Sequence, residues 1–165
     1  MTTEKPQRPD IARELIARAT ESAAHRATRV RNQYEWPGHR LVGPAAARAV
    51  WSIALHSDHD LVFQRAATIL LGRAVEVGDA LVHHWAHLHD RTLINTGQDQ
   101  EYGTQLLLSS DRIELCPLRA PGSVDKRRAT VGLPPIAVAL ETVRSRYMPN
   151  GSTDEVPSVV LAEAA

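Results

Sequence analysis

Eight histidines stand in this 165-residue sequence, and six of them fall between His56 and His89. Imidazole changes charge nearest neutrality, so this stretch is the first place to look for proton-transfer chemistry. His56 and Asp58 stand two apart, a spacing that suits a turn better than one face of a helix. A carboxylate so placed can set the imidazole tautomer and raise its basicity, the pairing of a general acid–base catalyst. The competing role is structural: a histidine answering a helix C-terminal dipole while Asp58 caps the next helix. His83, His87 and Asp90 recur at i, i+4 and i+7 on one side of a helix, with Arg91 at its edge. Two histidines four apart can ligate one metal, but His84 occupies the position where H-E-x-x-H sites carry their glutamate. A solvated face is the other reading of His83, His84 and His87. His59-Asp60 and His89-Asp90 spell the dipeptide of helical metal-dependent phosphohydrolases, a match that eight histidines produce easily.

Two later segments carry further polar chemistry. Gln100, Tyr102 and Gln105 offer neutral donors and acceptors around Gly103, in a polar turn leading into an apolar strand. Asp125, Arg127 and Arg128 follow, and paired arginines can clamp a carboxylate or phosphate. Cys116, between Leu115 and Pro117 with no charged neighbour in sequence, reads as a packing residue. There is no Gly-rich phosphate loop, no G-x-S-x-G elbow and no dinucleotide fingerprint.

Several of these residues recur in a fixed order. Trp36-Pro37 is followed by His56-Ser57-Asp58, Phe63-Gln64, Leu88-His89-Asp90-Arg91, Gly97 with Gln100-Glu101-Tyr102-Gly103-Thr104-Gln105, Asp125-Lys126-Arg127-Arg128, and Gly132-Leu133. This order resembles a bacterial family known only as a domain of unknown function, with the pattern Q-H-x-D, F-Q, L-x-D-R, G-x-x-Q-x-Y-G-T-Q, D-x-R-R and G-L. The Tyr-Gly-Thr-Gln string is its most specific part. Leu55 departs from the glutamine usual before the histidine, and His87 stands where an aromatic is common. The resemblance implies candidate positions and supplies no reaction.

The elements that must position these residues are mostly helical. A helix capped by Asp10 carries Ala12, Leu15, Ile16, Ala19, Ala23, Ala27 and Val30 as an apolar stripe. It stops before the breaker Trp36-Pro37-Gly38. A second helix opens at Pro44 and runs to His56. Asp58 or Asp60 caps a third, ending near Gly78, and Asp79 caps a fourth, ending before Gly97. Runs 104–108 and 112–116 read as a β-hairpin, followed by a short helix from Ser123 and a last helix to about Tyr147. The fold class is therefore mostly α: a compact helical domain of about five to six helices with one late β-hairpin. The expected organisation is a flexible tail over 1–8, a single domain over 9–148 and a flexible tail over 149–165.

Composition narrows the partners. Nineteen basic and nineteen acidic side chains leave no net charge, which gives no general attraction to nucleic acid or anionic membrane. One cysteine excludes an internal disulfide framework. With no long apolar run and no secretory signal, the sequence reads as a soluble cytoplasmic protein.

Together these features predict an enzyme doing acid–base chemistry on a small polar or anionic metabolite. His56, Asp58, Asp90 and Tyr102 are its catalytic candidates, and Arg91, Gln100, Gln105, Arg127 and Arg128 its substrate-binding ones. No cofactor is favoured. One alternative is a metal-dependent hydrolase or oxidase with a transition metal held by His56, Asp58, His87 and Asp90. Another is a non-catalytic module that binds a ligand or partner. His56, Asp90, Arg91, Tyr102 and Arg127 are expected to converge on one site. Asp90, if buried, should pair with Arg127 or Arg128, since Arg91 is turned about 100° from it around the helix.

Overall fold

The computed structural model describes residues 35–109 and 112–147, together with the backbone of 160–163. The helix expected from Asp10 and the tail over 1–8 lie outside the described residues. The chain divides into two compact units, Met1–Leu88 and His89–Ala165. Among the described residues the fold is mostly α with a late antiparallel hairpin, as the sequence predicts.

In the first unit α1 spans His39–Leu55 and α2 spans Leu61–Glu76, while α3, Val82–Asn95, runs on into the second unit. α1 starts directly after Trp36-Pro37-Gly38, so the breaker also serves as a helix start, with Gly38 as N-cap. Gly43 then interrupts α1 at φ 78°, ψ 164°, and Pro44 restarts it, which is where the sequence places the opening. Asp79 does not cap the helix that follows it. Its carboxylate instead accepts from the Arg40 backbone N–H at 2.8 Å, satisfying the open N-terminus of α1. A Cβ on Gly38 would collide with that carboxylate, so the close approach requires glycine. α2 is capped by Asp60, which accepts from Phe63 N–H at 2.9 Å.

The core of this unit is aliphatic with one Phe and one buried Trp. Trp36, Val50, Ala54, Leu55, Phe63, Ala67, Leu70, Leu71, Ala74 and Leu88 are buried together. Phe63, Ala67, Leu70, Leu71 and Ala74 recur at helical spacing on one side of α2, which is why that face turns inward.

In the second unit β1 (Gln105–Leu108) and β2 (Ile113–Leu115) pair antiparallel, with Leu106 opposite Leu115 and Leu108 opposite Ile113. Four residues of the stretch read as a C-terminal tail, Val160–Glu163, form a third strand, β3, antiparallel to β1 on its other side. α4 (Val124–Thr130) and α5 (Ile136–Tyr147) follow the hairpin, and Asp125 accepts from Ile136 N–H at 2.8 Å at the start of α5. Leu106, Leu108, Ala139 and Val143 form a small apolar core between the hairpin and α5. Among the described residues no helix is long and apolar enough to cross a membrane.

Candidate functional site

The last turns of α3 present His89, Asp90 and Arg91, and the loop Gln100–Thr104 folds back onto them. Asp90 is fully buried. Its Oδ1 accepts from the backbone N–H groups of Glu101 (2.8 Å) and Tyr102 (3.1 Å). Its Oδ2 accepts from Tyr102 N–H (3.1 Å), Thr104 N–H (3.0 Å) and the Thr104 hydroxyl (3.0 Å). A carboxylate has about four lone-pair sites, so this one is filled by the loop. Burial raises the Asp90 pKa above its usual value, and the four donor groups from Thr104, Glu101 and Tyr102 oppose that rise.

The carbonyls of the same loop are held by the two arginines of α4. Arg127 Nε donates to Glu101 O at 2.7 Å, and its other nitrogens reach Arg119 O at 2.6 Å and Ser123 Oγ at 2.6 Å. Arg128, fully buried, donates from Nη1 to Tyr102 O (2.8 Å) and Gly103 O (3.2 Å) and from Nε to Pro134 O (2.5 Å). Asp90 therefore takes the loop's N–H groups while Arg127 and Arg128 take its C=O groups. The expected Asp90–arginine ion pair is not formed, because both kinds of charge find backbone partners first. Gly103 stands at φ 67° in this loop, and a Cβ there would meet Ile136 Cδ1 at 2.9 Å.

The glutamines also face inward. Gln100 accepts from Gln105 N–H at 2.8 Å and donates to Gln105 O at 3.0 Å and Cys116 O at 2.9 Å. Gln105 accepts from Arg91 Nη1 at 3.1 Å and donates to Thr104 Oγ1 at 3.0 Å. Of the residues expected to read a substrate, Arg91, Gln100, Gln105 and Arg128 are buried. The contacts described for them lie within the fold.

What this frame leaves half-exposed is a different set. His89 Nε2 lies 3.4 Å from Glu101 Oε2, with side-chain exposures of 25% and 31%. The Tyr102 ring meets the His89 ring edge-on, centroids 6.2 Å apart at 67°. Burial, with the charges of Glu101 and Asp90, pushes the Tyr102 phenol up, and Arg127 partly offsets this. A histidine, a carboxylate and a phenol thus meet around one half-open spot. Sequence reasoning places Tyr102 there and misses His89 and Glu101. No signal in the sequence pairs His89 with Glu101, because the fold alone brings the two side chains within 3.4 Å.

His56 and Asp58 lie in the first unit, both exposed. His56 closes α1, its N–H donating to Ser52 O at 3.1 Å. Asp58 accepts from the fully buried Gln64 at 3.3 Å, and Gln64 also donates to Leu55 O at 3.1 Å. Asp58 is thus part of the corner, and the capping role belongs to Asp60. Leu55, the departure from the family pattern, is a buried core residue. His83, His84 and His87 do not form a solvated face: His87 is buried against the edge of Trp51, and His84 stacks on the Trp51 ring at 4.1 Å.

Among the described residues no group of three His, Cys, Asp or Glu side chains is gathered for a metal. A shallow groove along α5, lined by Ala137, Val138, Glu141, Thr142 and Ser145, holds none of the candidate residues.

A family model described as a family of unknown function (DUF6624) matches residues 9–148. No curated protein and no solved structure matches the chain.

Proposed function

The chain belongs to the family of unknown function DUF6624, and from its own residues we propose a small bacterial cytoplasmic enzyme that does acid–base chemistry on a small polar or anionic metabolite. His89 is the proton carrier, Glu101 orients its ring, and Tyr102 donates a hydrogen bond to the substrate. The observation that carries this reading is the His89–Glu101 contact at 3.4 Å beside the Tyr102 ring. An imidazole paired with a carboxylate and open to solvent on one side can take a proton from a bound molecule and return it. The buried clamp supports the same reading, since a loop held at both its N–H and C=O groups keeps Glu101 and Tyr102 in place without further cost on binding. Asp90, Arg127 and Arg128 are in this scheme positioning residues. The metal-dependent alternative through Asp90 loses its support because the carboxylate oxygens are already occupied.

The test is turnover across a panel of small carboxylates, phosphates and amides, comparing the wild type with His89→Gln. Loss of about 10²–10⁴-fold is expected for the variant, the usual contribution of a positioned acid–base group. Equal turnover by the two proteins removes His89 from the mechanism. A ligand that stabilises the protein yet is recovered unchanged after long incubation supports the binding-module reading instead.

A further inference from the structure

The sheet of the second unit is completed by a strand from outside the family-matched span. β1 carries β2 on one edge and β3 on the other. β3, Val160–Glu163, lies beyond residues 9–148 that match the family model. The ladder shows which backbone groups it serves. Cys116 N–H donates to Gln105 O at 3.2 Å and Ser109 N–H donates to Arg112 O at 2.9 Å, so the odd-numbered residues of this run face β2. In an antiparallel ladder successive residues turn their polar groups to alternate edges. The N–H and C=O groups of Leu106 and Leu108 therefore face β3, opposite Ala162 and Val160. With β3 in place these two leucines are 0% and 6% exposed. Four backbone polar groups beside a small apolar core thus depend on a strand supplied from elsewhere.

We propose that this edge of β1 is a strand-addition site that accepts residues 160–163 of a second copy of this chain, joining two copies by exchange of β3. The edge already holds that sequence in a fixed register, from Gln105 with Glu163 to Leu108 with Val160. A second copy presents the same four residues. Each copy then gives one strand and receives one, so the exchange closes as a two-fold dimer. The twelve residues 148–159 between α5 and β3 reach about 40 Å when extended, enough to cross to a neighbour. Only two bonded pairs, 106 with 162 and 108 with 160, hold the strand, and a segment held by so few bonds opens readily. The other edge of the sheet is guarded against the same pairing. Arg112 and Glu114 lie along it as an ion pair at 3.0 Å, with side chains 66% and 48% exposed.

The experiment uses full chains carrying Cys116→Ala, which removes the one native thiol. Leu107 and Leu161 stand opposite each other as a non-bonded antiparallel pair, a type whose Cα atoms lie about 4.5 Å apart, within disulfide reach. One chain carries Leu107→Cys and the other Leu161→Cys, and the two are mixed in a glutathione redox buffer. A covalent heterodimer is expected on a non-reducing gel, with a yield that rises with protein concentration. A chain carrying both substitutions should close within itself at high dilution, which checks the register. Adding Ala162→Pro to the Leu161→Cys chain removes the N–H that meets Leu106 O, and should cut the heterodimer about tenfold. Replacing Leu161→Cys by Ala162→Cys places the thiol on the opposite face of the sheet and should give none. Absence of the heterodimer while the double variant closes internally overturns the exchange. A heterodimer that Ala162→Cys forms equally well comes from random collision and overturns it too. A double variant that never closes overturns the register and the proposal with it. No turnover is measured, so the outcome is independent of the chemistry proposed for His89.

Discussion

The two units bury polar groups in opposite ways. Among the described residues of the first, the buried polar side chains include no Asp, Glu, Lys or Arg: Gln64 donates to Ala54 O, Leu55 O and Asp58 at 3.4, 3.1 and 3.3 Å, and Thr68 bonds back to Gln64 O at 2.9 Å. In the second they include full charges, Asp90, Arg91 and Arg128. The reason lies in how much backbone each must hold. Gln64 closes one helix end, which a single amide can do. The loop Gln100–Thr104 is buried at Gln100, Gly103 and Thr104 and leaves several N–H and C=O groups without helix or sheet partners. An ionised group accepts or donates several bonds at once, each roughly twice as strong as a neutral one. Burying Asp90 and Arg128 is therefore tolerated because the backbone they serve would otherwise be unsatisfied.

The sharpest way to break this comparison is to remove the carboxylate. Asp90→Ala leaves three backbone N–H groups and the Thr104 hydroxyl without their acceptor, and a loss of about 4 kcal/mol in urea unfolding is expected. A loss under about 1 kcal/mol would mean that water replaces it and the loop is not clamped by charge. The matching change in the first unit is milder. Gln64→Leu keeps the volume but removes the amide's bonds to two carbonyls and to Asp58, costing about 1–2 kcal/mol in the same measurement.

Acid should separate the units by a smaller margin. The His84 pKa is lowered in the fold, from the usual 6.5 to about 4. The unfolded chain therefore takes up this proton first, and the His84 contribution to stability is present above 6.5 and lost as pH falls toward 4. For a half-buried ring, solvent screening reduces this effect to about 1 kcal/mol. His84→Gln should remove that much of the pH dependence across the window. Asp90 moves the other way: a carboxyl raised by burial holds its proton longer in the fold, so its own term favours the folded state as pH falls. A pH profile unchanged by His84→Gln would put the acid sensitivity of the first unit elsewhere.

The sequence by itself determined what depends on near neighbours. Asp60 caps α2, Pro44 restarts α1, the run from Gln105 to Leu115 makes a hairpin, and Gly132-Leu133-Pro134-Pro135 separates α4 from α5. Caps, breakers and apolar periodicity act over a few residues, so they can be read in one dimension. Tertiary structure decided which polar residues face inward and what they hold. Asp90 meets N–H groups 11 to 14 positions along the chain, and Arg127 and Arg128 meet carbonyls 25 or 26 positions back. The spacing in Leu-x-Asp-Arg or Asp-x-Arg-Arg does not encode such partners. A polar residue expected to meet a substrate and one that holds a buried loop look identical in sequence. Asp79 reached back to α1 for the same reason, since an N-terminus left open in space attracts the carboxylate more strongly than the adjacent helix does. His89 and Glu101 became a pair only when the clamped loop set them 3.4 Å apart, because they stand twelve positions apart in the chain and only the fold closes that distance.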